Sequence, residues 1–105
     1  MQTAQEEGGG MITIFDFADI IDREIQITYY PNQAGRFAAS FIGGEIKEYK
    51  DSGILVGMYG NGKTADEAVQ NYAQRISGKT LVVNAMSKER AEYKIPVFKK
   101  EGAAT

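Results

Sequence analysis

Cysteine, histidine and tryptophan are all missing from this chain, and the first two absences remove whole classes of chemistry. Without Cys there can be no disulfide, no thiolate nucleophile and no zinc finger, and without His there is no imidazole to act as base, shuttle or metal ligand. Long apolar runs are also lacking. No stretch approaches the ~18 residues that a membrane-spanning helix needs. The opening MQTAQEEGGG is acidic and glycine-rich, unlike a signal peptide, so a cytoplasmic location is expected, and Met11 is a candidate internal start. A strong charge of either sign is missing too. Twelve Lys and Arg stand against fourteen Asp and Glu, a net charge of -2, whereas a dedicated binder of nucleic-acid backbones is usually basic. A nucleic-acid partner is therefore not expected. The acidic residues are scattered without a metal-ligand spacing, which ranks a metal-dependent hydrolase last and predicts neither catalytic residues nor cofactors.

The chain does have the length and composition of one small domain, 105 residues with 43% hydrophobic and 25% charged. Residues 1–10 read as a disordered lead, 11–98 as the domain, and 99–105 as a disordered tail. In 13–22, Ile14, Phe17, Ala18 and Ile21 recur at helical spacing behind a Thr13/Asp16 cap. In 24–30, Ile25, Ile27 and Tyr29 alternate with Gln26, Thr28 and Tyr30, the pattern of a half-buried strand, and PNQAG reverses the chain with Gly35 free to take positive φ. RFAASFI (36–42) alternates again and either continues through Gly43-Gly44 into EIKEY or bends there. After a turn at 50–53, ILVGMYG (54–60) reads as a third strand broken at Gly57.

The clearest signal is 64–76, where Ala65, Ala68, Val69, Tyr72, Ala73 and Ile76 form one apolar helical face and Gly78 ends the helix. TLVVNA (80–85) is a strand, and 90–98 an extended arm whose Pro96 suits a sheet edge. The predicted fold class is α+β in the order α-β-β-β-α-β: an antiparallel sheet with one long helix on one face and a C-terminal arm. Ile95, Val97 and Phe98 make that arm apolar, and it is expected to pack across a subunit boundary.

GMYGNGKT (57–64) matches the P-loop pattern of glycine, four residues, glycine, lysine and threonine. A P-loop aims backbone N–H groups and a helix N-terminus at phosphates. The surroundings speak against it. The preceding strands read as a meander, not as βαβ units, and Asn84 stands where a metal-holding carboxylate would be expected. Thr64 and Glu67 form a capping box, and Asp66 with Glu67 puts negative charge where phosphate would sit. The segment is read instead as a turn, with Gly60 and Gly62 supplying backbone freedom, Asn61 a positive φ, and Lys63 at most a passive clasp.

Strand, G-x-G-K and an alanine-rich helix resemble the double-stranded RNA-binding domain over residues 13–77. Here only Lys63 is basic, and Ala65, Asp66 and Glu67 replace the cluster that clamps duplex phosphates. Gly62, Thr64, Glu67 and Ala68 are similar to the helix start of HicB-type antitoxins. A wider likeness spans residues 24–98. YGNGKTADEAVQNYAQRISGKTLVVNA followed by ERAEYKIP resembles short bacteriophage proteins of the Thoeris anti-defence sponge type, through Tyr59, Gly60, Gly62, Thr64, Glu67, Ala68, Tyr72, Ile76, Lys79, Leu81, Val82, Arg90 and Pro96. The resemblance implies a non-catalytic oligomer that captures a cyclic ADP-ribose-like or cyclic oligonucleotide signal, with Arg90 matching the family's arginine ahead of the arm. An RNA-facing or antitoxin-like interaction module on a β-β-β-α scaffold is the alternative.

Capturing such a ligand takes guanidinium or N–H donors for the pyrophosphate and an aromatic face for the base. The ligand-binding candidates are Arg36 and Phe37 at the start of the second strand, Tyr59, Asn61 and Lys63 around the glycine motif, and Asn84 and Arg90 before the arm. The Tyr29-Tyr30 pair must put one ring on the outer face of the first strand, where it could stack on a base or meet a second copy of the chain.

Overall fold

The first helix forms because Thr13 and Asp16 cap each other. Thr13 N–H donates to Asp16 Oδ2 at 3.0 Å and Asp16 N–H to Thr13 Oγ1 at 3.1 Å, so two of the helix's orphan donors are satisfied reciprocally. This helix, α1 (Ile14–Ile21), buries Ile14 and Phe17 and stops at Asp22 in the left-handed conformation. The computed structural model describes residues 11–48 and 53–99, so the expected lead at 1–10, most of the turn at 50–53 and most of the tail at 99–105 lie outside the described residues.

Among the described residues seven strands form two antiparallel sheets. β1 (Ile25–Tyr30), β2 (Arg36–Phe41) and β5 (Gly60–Gly62) make up the first, in the order β1-β2-β5. β3 (Gly44–Lys47), β4 (Leu55–Val56), β6 (Thr80–Val83) and β7 (Ala91–Lys94) make up the second, in the order β4-β3-β6-β7. The second helix, α2 (Ala65–Ile76), lies between β5 and β6 in the chain. The expected α+β class holds, but the single sheet does not. At Gly43, whose φ is +71°, the chain takes the second of the two courses open in the sequence: it bends out of the first sheet, and Gly44–Lys47 becomes β3 of the second. ILVGMYG breaks at Gly57 as expected, yet its halves join different sheets: Val56 pairs with Ile46, and Gly60 with Ala39.

The core fills the space that α2 shares with both sheets. Its buried face, Ala68, Val69, Tyr72, Ala73 and Ile76, is the face the helical spacing predicts. Tyr72 is fully buried, and its hydroxyl oxygen accepts the N–H of Phe41 at 3.0 Å, tying the helix to the end of β2. Ile46, Leu81 and Val83 bring the second sheet to the same cluster. Among the described residues no helix is long and apolar enough to cross a membrane.

The C-terminal arm differs from expectation. Residues 91–94 are a ladder strand at the edge of the second sheet, and the segment after Lys94 turns into this chain's own core. Ile95 is fully buried and Phe98 nearly so, its ring 5.5 Å from that of Phe17, while Val97 points outward. Backbone bonds hold the arm in place: Ile95 N–H donates to Lys79 O at 2.8 Å, and Lys99 N–H to Ile12 O at 2.6 Å. No subunit boundary is needed to bury Ile95 and Phe98.

Candidate functional site

Strand parity divides the first sheet into a core face and an outer face. Ile25, Ile27 and Tyr29 of β1 stand beside Phe41, Ala39 and Phe37 of β2 on the core side. Gln26, Thr28 and Tyr30 stand beside Ser40, Ala38 and Arg36 on the other. The outer face is a groove of about 310 Å³ lined by Gln26, Thr28, Tyr30, Arg36, Ser40 and Tyr59, with Ala38 as its floor. Its size is at the lower end for small-molecule sites, and none of the lining residues is acidic.

Arg36 is the centre of this groove. It opens β2 directly across from Tyr30, and the hairpin loop between them turns through two left-handed residues, Ala34 and Gly35. The guanidinium carbon lies 4.8 Å from the centre of the Tyr30 ring and 5.8 Å from that of Tyr59, within cation–π range of both. Nη2 donates to Gln33 Oε1 at 2.8 Å, and Nη1 donates to Asn61 Oδ1. Two aromatic faces and two neutral amide oxygens therefore position the cation. Among the described residues no carboxylate pairs with it: the ion pairs are Lys47 and Arg90, both with Glu92.

Of the sequence candidates, Arg36, Tyr59 and Asn61 come together here. Phe37 does not. It is one residue out of phase, on the core face, with its ring 4.8 Å from that of Tyr29. Asn84 and Arg90 belong to the β6–β7 connection of the other sheet. Asn84 ends β6 in the left-handed conformation (φ +53°) and donates through Nδ2 to Glu89 O at 3.4 Å. Arg90 Nη2 lies 2.8 Å from Glu92 Oε2. Glu92 also takes Lys47 Nζ at 3.0 Å, and the Arg90 hydrogen bond first, then that of Lys47, holds its carboxyl below the usual range. Tyr30 supplies the outward ring of the Tyr29-Tyr30 pair to the groove lining, and Gln33, not among the ligand candidates, holds Arg36 from the hairpin turn. The parity of β1 already put Tyr30 outward; Gln33 left no signal beyond its place in the hairpin turn.

The glycine motif plays a different part from either role weighed for it. Gly60 and Gly62 are strand residues paired with Ala39 and Phe37, and neither they nor Asn61 takes a positive φ. Their value lies in having no Cβ. One built on Gly60 would lie 2.3 Å from both Ala68 O and Tyr72 N, and one on Gly62 2.5 Å from Ala68 N, because α2 crosses the strand backbone to backbone. The N–H groups that a P-loop would aim at phosphate are occupied: Asn61 N–H by Asn71 Oδ1 at 2.9 Å, Lys63 N–H by Glu67 Oε1 at 2.9 Å, and Glu67 N–H by Thr64 Oγ1 at 3.0 Å. The capping box is thus shifted by one residue, with Glu67 bonding the amide before the cap instead of the cap's own. The Lys63 side chain is exposed on the helix approach, outside the groove lining.

Among the described residues no cluster of His, Cys, Asp or Glu is placed to hold a metal ion. No protein-family model, curated protein or solved structure matches this chain.

Proposed function

We propose that the protein binds and sequesters a nucleotide-derived signal, cyclic ADP-ribose-like or a cyclic oligonucleotide, on the outer face of the β1-β2-β5 sheet, without turning it over. One observation carries this reading: the Arg36 guanidinium, unpaired with any described carboxylate, lies between two tyrosine rings in an open, acid-free groove. Gln33 and Asn61 use two of its five N–H donors, and the others remain for phosphate oxygens. Tyr30 and Tyr59 offer ring faces for a base, and the Gln26, Thr28 and Ser40 side chains offer hydrogen bonds to ribose. Among the described residues no carboxylate lines the groove beside its hydroxyls, an arrangement suited to capture. The resemblance to the anti-defence sponges points the same way and would place the protein in the cytoplasm of an infected host cell. Arg90, the position that resemblance favoured, takes no part, since Glu92 already engages it.

A thermal-shift panel tests the proposal. At a hundredfold excess over Kd a ligand adds about 2.7 kcal/mol, which for a domain of this size raises Tm by about 10 °C or more. The expectation is such a rise with a cyclic ADP-ribose isomer or a cyclic oligonucleotide, its loss in Arg36→Ala, and its survival in Arg90→Ala and Lys63→Ala. No shift with any of these nucleotides would refute the proposal.

The openness of the groove favours a second reading. An exposed sheet face carrying tyrosines can also stack successive bases of single-stranded RNA. Fluorescence anisotropy with short unstructured RNA separates the two, because strand binding should weaken steeply with salt and be lost in Tyr30→Ala and Tyr59→Ala alike.

A further inference from the structure

The two edges of the first sheet are treated in opposite ways. On β5 the outward-facing groups are capped by α2: Asn61 N–H by Asn71 Oδ1, and the carbonyl of Tyr59 just before the strand by Arg75 Nη1 at 2.6 Å. On β1 nothing described covers the edge. Ile42 N–H donates to Glu24 O at 3.0 Å, which fixes the ladder phase: Gln26, Thr28 and Tyr30 bond to β2, so the N–H and C=O groups of Ile25, Ile27 and Tyr29 point away from the sheet. Exposed edges are usually blunted with Lys, Pro or a bulge, and residues 25–30 contain none of these. On the core face the strand also projects beyond its cover, leaving Ile27 45% and Tyr29 53% exposed.

We infer that β1 pairs antiparallel with β1 of a second copy of this chain, about a two-fold axis at Ile27. The strand is complementary to itself in that register. Ile27 faces Ile27 of the second copy, Ile25 faces Tyr29, and all three positions exchange both backbone bonds in each direction. The apolar side chains of these pairs share the core face, while Gln26 meets Thr28 on the outer face. Residues 25–30 carry no charge, so the two-fold axis sets no like charges opposite each other within the pairing. The result is a continuous sheet of two three-stranded halves. Directly paired residues point to the same side, so both Arg36 grooves open on one face. This pairing does not rest on the ligand proposed for the groove.

Because Ile27 opposes itself, charge variants give a test specific to the register. The wild-type chain should sediment at twice the chain mass at high micromolar concentration. Ile27→Lys and Ile27→Glu should each weaken self-association by about a hundredfold or more, and an equimolar mixture of the two should recover the dimer. In the wild type, the Ile25, Ile27 and Tyr29 amides should lose hydrogen-exchange protection on dilution while those of Gln26 and Thr28 keep theirs, a readout that does not depend on how well the variants fold. A monomeric wild type, a dimer unmoved by either charge, or uniform exchange along β1 would overturn the assignment.

Discussion

Replacing Gly60 with alanine adds one methyl group where the structure has no room. The new Cβ would meet Ala68 O and Tyr72 N at 2.3 Å and the Tyr72 Cα at 2.6 Å, all backbone atoms of a helix that cannot rotate away as a side chain would. Restoring ordinary contact means moving α2 off β5 by roughly 1 Å, an overpacking that costs about 1–3 kcal/mol. The same movement stretches the Tyr72 hydroxyl away from Phe41 N–H, a bond that adds about 1 kcal/mol. The expected loss is roughly 3 kcal/mol, a fall in Tm of at least about 12 °C for a domain of this length. Urea titration followed by far-UV circular dichroism measures it. Gly57→Ala is the control, since its Cβ would meet nothing within 4 Å and its φ is not positive. That variant should be neutral or gain a few tenths of a kcal/mol from a stiffer unfolded chain. If Gly60→Ala is as stable as Gly57→Ala but loses nucleotide binding, then the glycine serves a ligand and the close-packing explanation is wrong.

Two further outcomes concern the bonds around α2. Burial pushes the Tyr72 phenol above its ordinary value, more than the Phe41 N–H pulls it down. The folded state therefore keeps the proton longer than the unfolded chain. Stability should be fully present below the unfolded value and be lost as pH rises through the folded one. Tyr72→Phe should remove that share of the alkaline decline and cost about 1–3 kcal/mol at neutral pH, because Phe41 N–H is left buried without a partner; denaturation midpoints measured at neutral and alkaline pH compare the two. Thr64→Ala removes the acceptor for Glu67 N–H and should cost about 1 kcal/mol, with faster amide exchange confined to the first turn of α2 and the nucleotide-induced thermal shift unchanged.

Features that depend on near neighbours in the chain were legible in the sequence. The apolar face of α2, the reciprocal cap at Thr13 and Asp16 and the left-handed Gly35 all arise from spacings of a few residues, whereas the half-burial expected of β1 does not follow its alternation, since Ile27 and Tyr29 are exposed. Features set by distant partners were not. Whether ILVGMYG is one strand or two depends on which ladders receive Val56 and Gly60, and their partners, Ile46 of β3 and Ala39 of β2, belong to different sheets. A glycine pair reads alike whether it supplies a turn, a phosphate loop or a close crossing, and only the approach of α2 decides. The groove shows the same division. Arg36, Tyr59 and Asn61 could be nominated by residue type, but the separation of Arg90 and Asn84 from them is a matter of sheet membership, which no local pattern encodes.

The bond from Lys99 N–H to Ile12 O joins the two ends of the described chain, and its meaning is one of timing. Phe17 of α1 packs on Phe98 as well as on Phe41, so within this domain α1 precedes part of its own seat in the chain. Growth from the N-terminus leaves the contacts between α1 and the arm among the later ones this domain can make. Trimming the arm back past Ile95 would therefore be felt at α1, at the other end of the described chain, through the lost Phe17–Phe98 contact and the lost Lys99–Ile12 bond.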